Sequence, residues 1–235
     1  MHALRCSMRR ALHGQAAKFT VTPLVEANFP LSPLDLRKFG LQVYPEFISL
    51  EEEEALAKDS RAHLYKQPYE AGHWDAVIMD YREIQRPISQ MSGLSQGAIT
   101  RALKLFPAGT TPLPTLHALE LKPHGKILAH VDSIKFSGGV VAGLCLLSHA
   151  CLQLTPDVGG VEEGRAPSAA AAAQHTTAPC ISIHLPPRTF YMLTGEARYG
   201  WGHAIPSEGV TVNGEEIKRN TRISVMLRDE LPSLP

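Results

Sequence analysis

The sequence lacks most features that mark secreted, zinc-binding or membrane-spanning proteins. Its four cysteines, Cys6, Cys145, Cys151 and Cys180, form no Cys-x-x-Cys pair, and the chain has no Asn-x-Ser/Thr sequon. These absences argue against a zinc site, a disulfide scaffold and secretion. The longest apolar run outside the N-terminus, Val140–Leu147, is far too short to cross a bilayer, so we expect no membrane span.

The chain also lacks an excess of either charge. Its 23 Lys and Arg residues balance 23 Asp and Glu residues, and residues 1–25 hold four of the basic residues but no acidic one. The remainder therefore carries a formal net charge of −4. Because neutralising phosphates requires clustered Lys and Arg, we expect no DNA partner held by bulk charge.

Length and hydrophobic content predict one domain with extensions. A chain of 235 residues with 44% hydrophobic content can bury one good core. Residues 1–25 are Arg-bearing and acid-free, which predicts an organellar transit peptide; a disordered basic tail is the alternative. We interpret residues 26–39 as a linker and 40–235 as the domain. A low-complexity insertion, rich in Ala, Ser and Thr, is expected at 155–180.

Two amphipathic helices are expected before a region of short strands. Ser49 and Glu52 form a capping box that opens a helix to about Leu64. Apolar residues at helical spacing predict a second helix from Leu94 to Phe106, which ends before Pro107.

From Thr115 onward the pattern changes to short strands separated by Gly and Pro turns. The predicted strands are Leu116–Leu121, Ile127–Asp132, Val140–Ser148, Cys151–Leu154, Ile181–Leu185, Phe190–Thr194, Tyr199–Ile205 and Arg222–Arg228, with a turn at Lys122–Gly125. Two helices followed by about eight strands indicate an α+β fold, a double-stranded β-helix (jelly roll) with two N-terminal supporting helices.

The chemistry begins at the strand predicted to contain His130 and Asp132. Side chains two apart on a strand share a face, so this imidazole and this carboxylate are expected to point the same way. They can supply two ligands of the facial triad that holds non-haem Fe(II) and leaves positions open for a cosubstrate and O2. A second His-x-Asp, at His73 and Asp75, is interpreted as a loop or edge-strand feature.

A third ligand would be a later histidine on a strand that folds back beside the first. Four histidines follow: His149 in a turn, His175 in the insertion, His184 before a Pro-Pro pair, and His203 in a glycine-rich stretch. Glycines let backbone and ligand approach closely, which favours His203. His184 is an acceptable structural histidine.

A cosubstrate pocket is predicted from the last strand. Alternation puts Arg222, Ser224 and Arg228 on one face. An arginine inside a jelly roll is costly unless it meets an anion, and a guanidinium suits a carboxylate in a bidentate pair. The far carboxylate of 2-oxoglutarate, reaching Arg222 and Ser224, meets that requirement.

These motifs resemble the AlkB family of Fe(II)/2-oxoglutarate dioxygenases, and more closely its mitochondrial subfamily, AlkB homologue seven. The resemblance runs from about Val43 to Arg228. Its most specific segments are His73–Ala76, His130–Phe136, Ala142–Leu144, Ala197–Tyr199 and Arg222–Val225. It implies an enzyme with Fe(II) and 2-oxoglutarate as cofactors and O2 as co-reactant, and it makes residues 1–25 a mitochondrial transit peptide and the matrix the expected location.

The resemblance also implies the site residues. The metal ligands would be His130, Asp132 and His203, and Arg222 would bind the cosubstrate. Tyr191 and Arg228 would be further contacts, and no catalytic residue is expected beyond the metal centre. One departure matters: the nucleic-acid-repairing members carry Asn-x-Tyr before the His-x-Asp, whereas this chain has Leu119–Leu121 there.

Three functions stay open at this point. The resemblance favours a protein hydroxylase or regulatory oxygenase, linked to programmed necrosis and fatty-acid metabolism. An RNA N-demethylase is the alternative, with Trp74, Tyr81, Tyr199 and Trp201 as possible stacking surfaces. The third is a binding module with a degenerate site, which the intact triad and Arg222 disfavour.

Overall fold

The computed structural model describes residues 19–73, 76–156, 178–207, 210–212 and 215–231. The helices are α1 (Pro33–Phe39), α2 (Leu50–Leu64), α3 (Gly93–Leu103) and α4 (Gly195–Tyr199), with a short 3-10 helix at Ile88–Gln90. The strands are β1 (Phe19–Thr22), β2 (Val25–Ala27), β3 (Leu41–Tyr44), β4 (Glu70–Gly72), β5 (Ile78–Pro87), β6 (Thr115–His130), β7 (Val141–Leu146), β8 (Ala150–Pro156), β9 (Ile181–Leu185), β10 (Phe190–Leu193), β11 (Trp201–Ile205), β12 (Val210–Val212), β13 (Glu215–Ile217) and β14 (Arg222–Arg228).

Twelve strands form one antiparallel sheet that curls on itself, in the order β1-β2-β9-β8-β11-β6-β14-β7-β10-β3, with β5 paired to β6 and β4 paired to β5. The long strand β6 joins the two halves, because its first part pairs with β14 and its last part pairs with β11. The predicted α+β jelly roll is confirmed. Among the described residues, no helix is long and apolar enough to cross a membrane.

Alternation along the central strands divides the core in two. One face of β7 and β14, with Leu144 and Val225, packs against α2 and α3 through side chains such as Leu56 and Ile99. The other face, with Cys145, lines the interior between the halves of the sheet. Both strands are therefore almost wholly buried, and they hold the side chains of the interior in fixed positions.

The predicted helix from the Ser49 and Glu52 capping box is confirmed as α2. The Ser49 side chain accepts from the Glu52 amide, and the Glu52 carboxylate accepts from the Ser49 amide. Such a cap is worth about 1 kcal/mol. The second predicted helix is also present as α3, although it ends at Leu103 rather than Phe106.

The linker expected at 26–39 is wrong in its second half, which forms α1. Ser32 and Asp35 build a capping box there, and Pro33 occupies the first turn, where its missing N–H costs nothing. The end of the segment expected to be a transit peptide also belongs to the fold, since β1 pairs with β2 and the Val25 side chain is buried. The insertion at 155–180 lies largely outside the described residues.

The turn expected at Lys122–Gly125 is wrong, because β6 continues through it. Tyr81 pairs with Leu121 and Met79 pairs with Lys126, so the four residues of the expected turn lie opposite Asp80 alone. Asp80 adopts a left-handed φ of 54°, which accommodates this bulge. Strand β6 therefore runs without interruption from the residues paired with β14 to the end that presents His130.

Candidate metal centre

Three ligand-type side chains converge where β6 ends beside β11. His203 lies directly opposite His130 in the strand register, and their ring centroids are 4.3 Å apart. The Asp132 Oδ1 atom lies 3.3 Å from Nε2 of His130 and 3.4 Å from Nε2 of His203. Within the part of the chain that the structure describes, these residues are the one group of three or more suited to a metal ion.

His130 and Asp132 do not lie on the same strand, contrary to the expectation from the sequence. Strand β6 ends at His130, and Asp132 lies two residues beyond it in the following loop. Strand alternation therefore does not orient the carboxylate. Contacts with the two imidazoles and with arginines of other elements do so instead.

The two imidazoles are held in forms that suit metal ligation. Nδ1 of His130 donates to the carbonyl of Leu128 over 2.9 Å, which leaves the Nε2 lone pair facing the other ligands. Burial, reinforced by neighbouring His130, lowers the pKa of His203, so that imidazole is neutral at physiological pH.

Asp132 completes the group as a carboxylate. Burial alone would raise its pKa, but the adjacent Arg228 guanidinium is the largest opposing effect, and the pKa lies well below its usual value. Nε and Nη2 of Arg228 both lie 2.7 Å from Oδ2. Oδ1 is left facing the imidazoles. Two imidazoles and one ionised carboxylate are the donor set of a non-haem Fe(II) facial triad.

A cluster of hydrogen-bond donors lies deeper in the interior and has weak partners. Arg222 is 1% exposed, its Nε has no hydrogen-bond partner among the described residues, and its Nη2 contacts the Cys145 sulfur at 3.7 Å. Ser224 and Tyr191 direct their hydroxyls at the Met226 sulfur, at 3.2 and 3.6 Å. A buried cation without an anion is costly, so this cluster fits a carboxylate-bearing ligand.

The residues around these donors keep the Tyr191 hydroxyl protonated, make room for its ring and exclude water. Burial raises the pKa of Tyr191 to about 12, so its hydroxyl stays a donor. A Cβ on Gly143 would lie 2.8 Å from the Tyr191 ring, so glycine makes room for that ring. Leu119 and Leu121 are buried opposite Ser224 and Arg222, where they exclude water from the pocket.

Not every residue expected in the cosubstrate pocket is found there. Arg222, Ser224 and Tyr191 lie together, whereas Arg228 engages Asp132. Its expected contact with 2-oxoglutarate stays a prediction. The basis for placing it on the inner face is correct, because β14 spans Arg222–Arg228 as expected.

Sequence reasoning gave no role to the buried guanidinium of Arg198. It donates to the backbone carbonyl of Asp132 over 3.0 Å, to that of Ser133 over 3.4 Å and to Oγ of Ser137 over 2.9 Å. Arg198 therefore fastens the loop that carries a candidate metal ligand. The only signal in the sequence was its place in the Ala197–Tyr199 motif.

The loop fastened by Arg198 follows Asp132 directly in the sequence and presents apolar side chains to solvent. Phe136 is 82% exposed and Ile134 is 54% exposed, and Tyr199, beneath the Arg198 guanidinium, is 49% exposed. We call these three side chains the apolar lip. Lys135 is the one charged side chain within the loop segment Ser133–Ser137.

The aromatic residues considered for base stacking are differently placed. Tyr81 is fully buried, and Trp201 packs against Phe29 and Phe39 in the core. Trp74 lies outside the described residues, as does Asp75 of the second His-x-Asp. Of the four, Tyr199 is the one with an exposed ring among the described residues.

Comparison with known proteins adds sequence and fold relatives. The chain is 36% identical over 190 residues to the bovine "Alpha-ketoglutarate-dependent dioxygenase alkB homolog 7, mitochondrial", covering 79% of this chain and 76% of the relative. The protein of the same name from Mus musculus is 35% identical over the same coverage. No family model matches.

Two solved structures share the fold at low identity. The epimerase SnoN, in complex with Fe3+, alpha ketoglutarate and nogalamycin RO, has a TM-score of 0.54 at 14% identity, covering 83% of this chain and 80% of the other. A prolyl hydroxylase from Trichoplax adhaerens, in complex with a hypoxia inducible factor peptide fragment, has a TM-score of 0.53 at 7% identity, covering 83% and 86%.

Proposed function

This chain belongs to the alkB homolog 7 family of α-ketoglutarate-dependent dioxygenases, and we propose that His130, Asp132 and His203 hold its Fe(II). Arg222, Ser224 and Tyr191 would bind the far carboxylate of 2-oxoglutarate. The observation that carries this proposal is the buried Arg222 guanidinium, whose Nε has no hydrogen-bond partner among the described residues. It lies beside the hydroxyls of Ser224 and Tyr191, whose hydrogen-bond acceptor is the Met226 sulfur.

The reaction divides between the cofactors and the chain. When bound, Fe(II) and 2-oxoglutarate would supply the oxidation: one oxygen atom of O2 enters succinate as 2-oxoglutarate loses CO2, and the other converts a C–H bond of the substrate into C–OH. The chain's own residues bind and orient. Arg222 offers two parallel N–H groups to a carboxylate, and Leu119 and Leu121 keep water from that ion pair. Arg228 holds Oδ2 of Asp132, which leaves Oδ1 for the metal.

We propose a protein substrate, presented to the metal across the apolar lip. Exposed aromatic and aliphatic side chains beside a buried site bind apolar side chains of a polypeptide. A nucleic-acid strand would instead need clustered cations along its phosphates, and the loop Ser133–Ser137 offers Lys135 alone. The proposed role is a hydroxylase or regulatory oxygenase, linked to programmed necrosis and fatty-acid metabolism.

The relatives are named mitochondrial, and we propose the matrix as the location. An import signal within residues 1–25 would end before β1. Cleavage after residue 25 would remove β1 and the first residue of β2, whose side chain is 1% exposed. We therefore propose cleavage before Phe19 and a dioxygenase domain that includes α1 as well as residues 40–235.

RNA N-demethylation is the second candidate function, because the exposed ring of Tyr199 could stack on a base. Substrate-stimulated turnover distinguishes it from the oxidation of a protein. Succinate formation is measured with Fe(II), 2-oxoglutarate and either mitochondrial protein or mitochondrial RNA. We expect stimulation by protein, with one labelled oxygen atom incorporated from O2 into a polypeptide. Stimulation by RNA with formaldehyde release would contradict the protein assignment.

Variants of the apolar lip sharpen this test. Phe136→Ala should lower protein-stimulated turnover while leaving basal 2-oxoglutarate consumption unchanged. Leu34→Ala is the matched control, because Leu34 is an exposed apolar residue on α1. Equal effects of the two substitutions would contradict the role of the lip.

A further inference from the structure

A line of polar side chains crosses three strands and ends at the candidate metal carboxylate. Glu83 on β5 places Oε2 at 2.7 Å from Nε2 of His117 on β6. Nδ1 of His117 lies 3.4 Å from Nη1 of Arg228 on β14. The other two guanidinium nitrogens of Arg228 contact Oδ2 of Asp132. His117 and Glu83 are among neither the expected ligands nor the expected cosubstrate contacts.

The sheet register explains how these side chains meet. His117 on β6 lies directly opposite Met226 on β14, and Glu83 on β5 lies directly opposite Leu119 on β6, so each contact runs diagonally across a strand pair. Diagonal neighbours on one face stay within reach of long side chains. The line therefore runs along the inner face of the sheet that also carries Ser224.

The chemistry of the partners fixes the proton on His117. A guanidinium can only donate hydrogen bonds, so Nδ1 of His117 must be the acceptor from Arg228. Nε2 then carries the hydrogen and donates it to Glu83. The Glu83 carboxyl is ionised accordingly, since its hydrogen bond from His117 lowers its pKa against the opposing effect of burial.

We propose that His117 and Glu83 are positioning residues, which hold Arg228 so that its other two nitrogens cover Oδ2 of Asp132. A carboxylate with both oxygens free can bind a metal through both and fill a coordination position that the cosubstrate needs. Arg228 prevents this only if its side chain stays in one rotamer. This inference rests on the proposed metal centre, but the His117 tautomer is a property of the metal-free protein.

Two amide substitutions separate positioning from bulk packing. The Oδ1 atom of His117→Asn can replace Nδ1 as the acceptor facing Arg228, whereas the amide of His117→Gln reaches the position of Nε2 and faces Glu83. Asn should therefore preserve the hold on Arg228 and Gln should not. His124→Asn is the control, because His124 lies on the same strand and its side chain is 68% exposed.

The first readout is nitrogen NMR of the histidines in the metal-free protein. We expect His117 in the Nε2–H tautomer, and Glu83→Ala should give a mixture of tautomers. An Nδ1–H tautomer in the wild-type protein would overturn the proposal whether or not the metal assignment is right.

The second readout is Co(II) affinity without cosubstrate. Removing a partner that orients a metal ligand typically weakens metal binding about 10-fold to 100-fold. We expect about a 10-fold loss for His117→Gln, and changes below about 3-fold for His117→Asn and His124→Asn. Equal affinities of the Asn and Gln variants would overturn the positioning role. Failure of the wild-type protein to bind Co(II), or undiminished binding by Asp132→Ala, would overturn the metal assignment as well.

Discussion

Arg228 contacts Asp132 through two nitrogens, Nε and Nη2, each 2.7 Å from the same oxygen, Oδ2. The carboxylate thereby presents its two oxygens to different partners, Oδ1 to the histidines and Oδ2 to the guanidinium. This division supports the proposal that Asp132 is a one-oxygen metal ligand. On that proposal, Arg228 would determine metal affinity without being a ligand itself.

Removing the buried charge of Arg222 should weaken cosubstrate binding without lowering the stability of the ligand-free protein. Arg222→Met should weaken 2-oxoglutarate binding by roughly 100-fold, or about 3 kcal/mol, because a buried carboxylate loses its partner. The ligand-free variant should be at least as stable as the wild type, since it no longer buries an incompletely paired cation. Calorimetric titration of the metal-loaded proteins and thermal unfolding check the two parts. Unchanged affinity would contradict the assignment of Arg222.

The space beside Tyr191 gives a packing prediction. In Gly143→Ala the new methyl group would meet the Tyr191 ring at 2.8 Å, which should cost about 1–3 kcal/mol in unfolding free energy and displace the hydroxyl. Urea unfolding measures the loss. Adding Tyr191→Leu should recover much of it, whereas Tyr191→Phe should not, because ring carbons make the close approach. Full stability of the single variant would show that Tyr191 moves freely.

The guanidinium of Arg198 gives a prediction about the loop that it fastens. Arg198→Met leaves the carbonyls of Asp132 and Ser133 and the hydroxyl of Ser137 without their donor. We expect a loss of about 2–3 kcal/mol in unfolding free energy, the range for hydrogen bonds to a charged group. Hydrogen exchange across residues 133–137 should also quicken. Arg198→Lys should restore little, because an ammonium cannot reproduce the planar fork. Wild-type exchange in the Met variant would contradict this role.

A histidine pair remote from the metal site gives a pH prediction. Nδ1 of His149 lies 2.9 Å from Nε2 of His184, and burial lowers the pKa of both histidines. The unfolded chain therefore binds protons more readily than the fold does as the pH falls below the unfolded histidine pKa, about 6.5. Stability should decrease there, no more steeply than about 1.4 kcal/mol per pH unit for each proton bound. Urea unfolding of the metal-free protein at pH 7.5 and pH 5.5 measures this, and His184→Gln should flatten the dependence. An equal slope in that variant would contradict it.

Local signals account for the parts of the fold that the sequence predicts correctly. The Ser49 and Glu52 box locates α2 because a cap depends on residues three apart. Helix α1 is missed because a proline often ends a helix, although Pro33 suits the first turn and Asp35 serves in place of Glu. The continuity of β6 is missed because its bulge depends on the conformation of Asp80, some 40 residues away.

The candidate site divides in the same way. Local spacing marks His130 and Asp132 as a pair, although the loop position of Asp132 means that strand alternation is not the reason, and it puts Arg222 and Ser224 on one face. It leaves four histidines open for the third ligand, because the pairing of β11 with β6 is a long-range register that no local pattern encodes. The partners of Arg198 are likewise distant in sequence. The strand face on which His117 lies can be predicted from the sequence, since His117, Leu119 and Leu121 are spaced two apart along one strand.

The most direct test of the central claim is an anaerobic absorption titration of the metal-free protein with Fe(II) in the presence of 2-oxoglutarate. The account predicts a visible charge-transfer band that saturates at one Fe(II) per chain. The band should be absent in His130→Ala, Asp132→Ala and His203→Ala, and in Arg222→Met it should need far more 2-oxoglutarate. A wild-type protein without the band, or an Asp132→Ala variant that keeps it unchanged, would contradict the claim.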